Sequence, residues 1–451
     1  MATPPKVICS GCDHPQETLV SIMEKLFKLK ESGTDVRTEV VAGMTTFLTM
    51  AYIIFVNPAI LGDAGLPKDA VFVATCVAAA LGTMIMGLYA NYPIGMAPGM
   101  GLNAYFAYAV VLGMGVPWQS ALGSVFISGC LFLLVSVFGL RGMIVNGIPH
   151  SLRTAITVGL GLFLALIALK GAGIVVASKA TMITGGDLHQ PPALMAIAGF
   201  MVIVALDRLR VKGSILIGIA LVTVLSFVFG GNQFHGIVSM PPSIDATLLK
   251  LDVPGALSVG IVNVVLVFFL VELFDATGTL MGVASRAGLL VSGKMERLNK
   301  ALMADSVAIV AGSMLGTSST TAYVESAAGV QAGGRTGLTA VTVALLFLAS
   351  LFIAPLAGVV PAYATAPALL FVACLMLRDL CDIDWSETTE SVPACITAIA
   401  IPFTYSIAHG IAFGFITYAL LKLLTGRARE VKAIVWVIAA VFAFKYAYLP
   451  G

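Results

Sequence analysis

From about residue 40 to residue 448 the chain is a near-continuous succession of apolar stretches of spanning or nearly spanning length. They fall near 40–61, 70–90, 102–113, 117–139, 152–170, 191–206, 213–230, 254–277, 299–313, 322–332, 337–358, 361–377, 391–406 and 408–424, with a last one at 431–448. A straight helix needs about 20 apolar residues to cross the hydrocarbon core, and several of these are shorter, so their ends are soft. Hydrophobic residues make up 59% of the 451 and charged residues only 11%. A soluble domain carries roughly 25% charge. So much apolar surface needs lipid as its solvent, and an all-α polytopic membrane protein of about 14 spans is the expected fold. The net charge of +2 gives no footing for nucleic-acid binding. Residues 1–38 are polar and partly basic and read as a tail, not as a signal peptide. Cys9 and Cys12 with His14 resemble half of a metal or redox motif with no second half, so no metal or cofactor is expected.

The basic residues orient the spans. With the N-terminus in the cytoplasm, the cytoplasmic segments hold 19 of the 25 Lys and Arg, among them Lys25, Arg153, Arg208, Arg297, Arg335 and Arg427. The outer segments hold Lys68, Lys170, Lys179 and Lys250. This bias is the positive-inside pattern and places the chain in an inner (plasma) membrane. The stretch 431–448 either spans or lies in the interface. The acidic run Asp379, Asp382, Asp384 and Glu387 reads as a solvated loop.

Two segments resemble each other. Residues 93–108 pass from Pro93, Gly95, Pro98, Gly99 and Gly101 through Ala104-Tyr105 into a short apolar helix. Residues 312–329 pass from Gly312, Gly316 and the run Thr317 to Thr321 through Ala322-Tyr323 into another. They open the third and tenth spans. Seven spans separate them, an odd number, so the halves are expected to be inverted. Short interrupted helices at matching positions of inverted halves point to a transport site. Packing by small residues accounts for one such segment more easily than for two.

Among 23 Asp and Glu, Glu272, Asp275, Asp305 and Glu325 fall within apolar spans. Each costs about 2.5–3.5 kcal/mol or more at the bilayer centre, which makes each a candidate functional group. Glu272 and Asp275 are three apart on the eighth span, with Thr279 on the same face. Two carboxylates so close repel, and one is expected to hold a proton. Glu325 opens the tenth helix, where free backbone N–H groups can meet a polar ligand. Asp305 in the ninth span can anchor the crossing or relay a proton. No basic residue lies mid-membrane, so the site suits a neutral or cationic ligand with N–H donors. A flat nucleobase has that chemistry, and Tyr105, Phe106 and Tyr323 can offer it aromatic faces.

At these residues the sequence resembles the nucleobase–cation symporter family of uracil and xanthine permeases, and within it the azaguanine-resistance-like purine permeases. The matching pieces include TEVVAGMTTFLTMAYIIFVNP (38–58), APGMGLNAYFAY (97–108), FDATGTL (274–280), GTSSTTAYVESAAG (316–329), GGRTGLTA (333–340) and ESVPACITAIAIPF (390–403). They run in order from about residue 35 to 425. The resemblance implies seven plus seven inverted spans. Core spans 1–4 and 8–11 would move against gate spans 5–7 and 12–14, elevator fashion. The tail would be 1–38, the first repeat 39–230, the second 254–425, and a C-terminal apolar segment 426–451. The base-binding acids of that family land on Asp275 and Glu325. Its third-span binding segment lands on Asn103, Ala104, Tyr105 and Phe106, and the tenth-span segment includes Tyr323 and Val324. The ninth-span acid lands on Asp305, with Glu272 and Thr279 as further coupling or structural residues, although Glu272 has no counterpart there. The xanthine and urate branch usually has Glu in the eighth span and Gln-Asn in the tenth, where this chain has Asp275 and Glu325-Ser326. That argues for purine–H⁺ symport of adenine, or of hypoxanthine and guanine, with a lean to adenine, and leaves a homodimer open. Another nucleobase such as uracil or xanthine is the nearer alternative. An anion carrier would want a basic residue at the breaks, and a metal-dependent membrane enzyme would want clustered ligands.

Overall fold

The computed structural model describes residues 23–139, 147–229, 236, 238–259, 264–286, 290, 291, 294, 295 and 297–448. Cys9, Cys12 and His14 lie outside the described residues. Ten helices among the described residues are long and apolar enough to cross a membrane, and Met100–Gly113, Ser214–Val228 and Ala433–Ala447 are shorter apolar helices.

The first crossing is made of α1 (Val36–Met50) and α2 (Ile53–Asp63), joined through Ala51 and Tyr52. Asp35 caps α1 by accepting from the Thr38 N–H at 2.9 Å. Then follow α3 (Lys68–Ile85), strand β1 (Met96–Pro98), α4 (Met100–Ala104) with a π-helical continuation to Gly113, and α5 (Trp118–Val137). Next are α6 (His150–Gly171), α7 (Pro191–Arg208) and α8 (Ser214–Phe229). The chain continues with α9 (Leu266–Arg286), α10 (Leu298–Leu315), strand β2 (Thr320–Ala322), α11 (Ser326–Gln331) and α12 (Gly337–Ala349). It closes with α13 (Ala362–Met376), α14 (Thr388–Phe403), α15 (Ile407–Leu424) and α16 (Ala433–Tyr448).

The fold is mostly helical and not all-α. The two interrupted stretches pair as antiparallel strands, Met96 opposite Ala322, Ala97 opposite Thr321 and Pro98 opposite Thr320. Lipid offers no hydrogen bonds, so backbone that leaves the helix must find partners within the protein. Here each break supplies the other: Gly99 N–H donates to the Ser319 carbonyl at 2.8 Å and Tyr323 N–H to the Gly95 carbonyl at 3.0 Å. The approach at Gly99 is close: a Cβ there would stand 3.0 Å from the Thr321 methyl, which would have to give by a few tenths of an ångström. Gly316 ends α10 at φ +98°, where a side chain would be strained.

Other boundaries moved. Of the eighth span, expected over 254–277, residues 253–259 and 264–277 are helical, and Asp275 lies in the middle of α9. The tenth helix is six residues long and begins only after Glu325. The last stretch, α16, has 16 residues, a rise of about 24 Å. It packs on α15.

The helices pack in two sets. α1, α3, α5, α10, α11 and α12 pack on one another, and so do α6, α7, α8, α13, α14 and α15. The first set is locked by Glu39, a fully buried acid that the reading of apolar spans passed over. Its carboxylate accepts from the N–H groups of Arg335 (2.8 Å), Thr336 (3.3 Å) and Thr339 (3.2 Å) and from the Thr339 hydroxyl (2.6 Å). Its charge thereby sits at the positive end of the α12 dipole.

The second set is tied by charge at one end. Lys422, 2% exposed, lies 3.0 Å from Glu390 and 3.1 Å from Glu430. Glu390 also accepts from Ser151 at 2.5 Å and Tyr418 at 3.0 Å. Arg427 donates to Glu387 at 2.6 Å and to Glu430 at 2.7 Å. The Arg427 bond, then the Thr389 N–H, pull the Glu387 carboxyl from the ordinary 4.5 down to about 2. Because the folded-state value is depressed, the stabilisation is complete above 4.5 and is lost as pH falls from there towards 2. The stability gap between wild type and Arg427→Ala in detergent should therefore narrow across that window. Melting curves taken at stepped pH check this, and a gap that is constant from pH 5 to 2.5 would count against the assignment.

Candidate functional site

The paired breaks carry the acids to one place. Asp275 reaches the crossing from α9: a Cβ at Gly99 would stand 4.0 Å from its Oδ2. It is half-buried and makes no hydrogen bond to another described residue. Glu325 directly precedes α11, is also half-buried, and accepts the Tyr52 phenol on Oε1 at 2.7 Å. The two carboxylates are close enough for their charges to interact, and Asp379 also lies within electrostatic reach of Asp275. Among the described residues no cation forms an ion pair with Asp275 or Glu325. Two partly accessible acids beside the buried strand pair form a surface that accepts hydrogen bonds.

The other residues singled out from the sequence divide by position. Asn103 ties the breaks together: the Ser318 hydroxyl donates to its Oδ1 in a very short bond. Tyr323 spends its phenol on the Pro98 carbonyl at 2.5 Å. Ala104 and Phe106 are fully buried. Tyr105 is buried edge-to-face on Phe268, with centroids 5.0 Å apart. Val324 is 45% exposed. Asp305 is buried and accepts from the Thr321 hydroxyl at 3.2 Å, which holds α10 to β2. Glu272, three residues from Asp275, is buried and accepts from Ser128 of α5 at 2.8 Å. The acids that sense one another are thus Asp275 and Glu325, while Glu272 is engaged by α5. Thr279 is half-buried further along α9.

The family model of the xanthine/uracil permeases, described as the Permease family, matches residues 37–413. The chain belongs to this permease family. It is 48% identical to adenine permease AdeP of Escherichia coli (strain K12) over 431 residues, 95% of this chain and 97% of that one. It is 44% identical to guanine/hypoxanthine permease PbuO of Bacillus subtilis (strain 168) over 425 residues, 92% of this chain and 98% of the other. Among solved structures it resembles the transmembrane domain of a cyanobacterium bicarbonate transporter, BicA. The TM-score is 0.59 at 16% identity, covering 90% of this chain and 96% of that one. This last likeness concerns fold alone. The permease is a multi-pass membrane protein, and its family and these relatives are permeases, not enzymes.

Tyr52, Thr49 and Ser318 of the permease escaped the sequence reading. Tyr52 and Thr49 fall in the matching piece 38–58, but nothing in their spacing sets them apart from packing residues. Thr49 lies 3.4 Å from the Glu325 carbonyl.

Proposed function

We propose that this permease carries purine nucleobases, adenine foremost, into the cell together with a proton across the inner membrane. The observation that supports this best is the pair of half-buried acids, Asp275 and Glu325, beside two mutually paired chain breaks, with no ion-paired cation among the described residues. Glu325 has an acceptor edge for base N–H groups, and the strand ends offer backbone groups for ring nitrogens or a carbonyl. Asp275, free of hydrogen-bonded partners among the described residues, is the group that takes up and gives back the proton. The names of the relatives, adenine permease and guanine/hypoxanthine permease, support the substrate class. The greater identity to the adenine permease supports adenine.

The two helix sets support an elevator reading. Seven plus seven inverted spans, 39–230 and 254–425, would divide into a core that carries the site and a gate that braces it. The core would be spans 1–4 and 8–11, and the gate spans 5–7 and 12–14. The N-terminus would be cytoplasmic. Asp305, Glu272 and Asn103 then keep the moving body rigid. The test is uptake of radiolabelled adenine in a strain without its own purine permeases, with unlabelled adenine, hypoxanthine, guanine, uracil and xanthine as competitors. Adenine should compete best and uracil and xanthine about 100-fold more weakly or not at all, the penalty of leaving buried polar groups unpaired. Equal competition by uracil would overturn the purine assignment.

A further inference from the structure

Tyr52 is 1% exposed, so a ligand cannot rest on it, yet its phenol ends on Glu325. Among the described residues no other side chain donates to either oxygen of that carboxylate. We infer that Tyr52 is a positioning residue that sets the selectivity of the site among purines: it holds one oxygen of Glu325, which favours a base with single N–H donors over one with two donors side by side. The inference rests on the purine reading above.

An open carboxylate can take two parallel N–H donors, one on each oxygen, and such forked pairs are the strong ones. Guanine presents N1–H and its amino group side by side and fits both oxygens of a carboxylate. Adenine in its common tautomer presents N9–H and an amino group that lies between two ring acceptors, and hypoxanthine presents ring N–H donors beside acceptors, so neither offers two donors side by side. The Tyr52 phenol takes one acceptor direction of Oε1 and fixes the carboxylate plane, so a forked pair must compete with it.

The arrangement is rigid. Tyr52 follows α1, which Glu39 ties to the start of α12 through three backbone N–H groups and a hydroxyl. α1 also lies directly against α11, since a Cβ at Gly329 would fall 2.0 Å from the Thr46 hydroxyl and 2.6 Å from the Ala42 carbonyl. The phenol and the carboxylate are thus carried by elements in van der Waals contact.

The test is Tyr52→Phe, which keeps the ring and removes the donor. Inhibition constants of adenine and guanine are measured against radiolabelled adenine uptake, with Vmax and the amount of protein in the membrane. Loss of one charge-assisted hydrogen bond should weaken adenine about tenfold. Guanine should be unchanged or tighter, so the preference for adenine falls about tenfold or more, while Vmax per molecule stays within about twofold. A purely structural role would lower Vmax for both bases and leave the ratio alone; that result, or no change at all, overturns the inference. If the variant accumulates poorly, binding of the two bases to purified protein in detergent reads the same ratio. Wild type that transports neither base strikes the purine reading itself, whereas normal wild-type transport with an unaltered ratio in Tyr52→Phe strikes only the role of Tyr52.

Discussion

Glu325→Ala should abolish high-affinity purine uptake while the protein remains in the membrane. Glu325 is the half-buried acid at the junction of β2 and α11, held in place by Tyr52 at 2.7 Å. An alanine there offers no acceptor to a base N–H and leaves the phenol of Tyr52 without its acceptor. Each hydrogen bond to a charged group contributes about 1.5–3 kcal/mol, so losing the ligand's bond to Glu325 should cost about 10- to 150-fold in affinity. The backbone of the crossing does not depend on this side chain. Its strand pairing and the bonds Gly99 to Ser319 and Tyr323 to Gly95 are made by main-chain groups. Initial rates of radiolabelled adenine uptake, normalised to the amount of tagged protein in the membrane, check this. Normal uptake by the variant would remove Glu325 from the site.

Asp275→Asn should remove accumulation against a gradient while sparing part of the exchange of bases across the membrane. The amide has the shape of the acid and can still form hydrogen bonds, but it cannot take up a proton and give it back. Asp275 has no hydrogen bond to another described residue, so the substitution breaks no hydrogen bond among the described residues. A structural defect would act on both readouts together. In vesicles with an imposed pH gradient, the accumulation ratio should fall from well above one to about one, the equilibrium value for an uncoupled neutral solute. Counterflow of labelled adenine should persist. An unchanged pH dependence of accumulation would take the coupling role away from Asp275.

Much of the molecule was legible in the amino-acid order. Hydropathy reported that most of the chain needs lipid, because burying apolar surface depends on composition along the chain more than on the partner. The two breaks were legible too. Pro98, Gly99 and the hydroxyl run Thr317 to Thr321 cannot hold a helix well, wherever they sit. Asp275 and Glu325 stood out for the same reason: an acid in an apolar stretch is costly whatever surrounds it. Hydropathy was blind, however, to the strand that replaces the start of the tenth helix.

Partnership was decided only in three dimensions. Glu272 and Asp275 lie three residues apart, yet one is held by Ser128 and the other faces the crossing. Tyr52 reaches Glu325 across 273 positions, and Glu39 reaches Thr339 across 300. Local sequence sets the cost of placing a polar group in lipid. Which distant group offsets that cost depends on how the helices pack, and no local pattern encodes it.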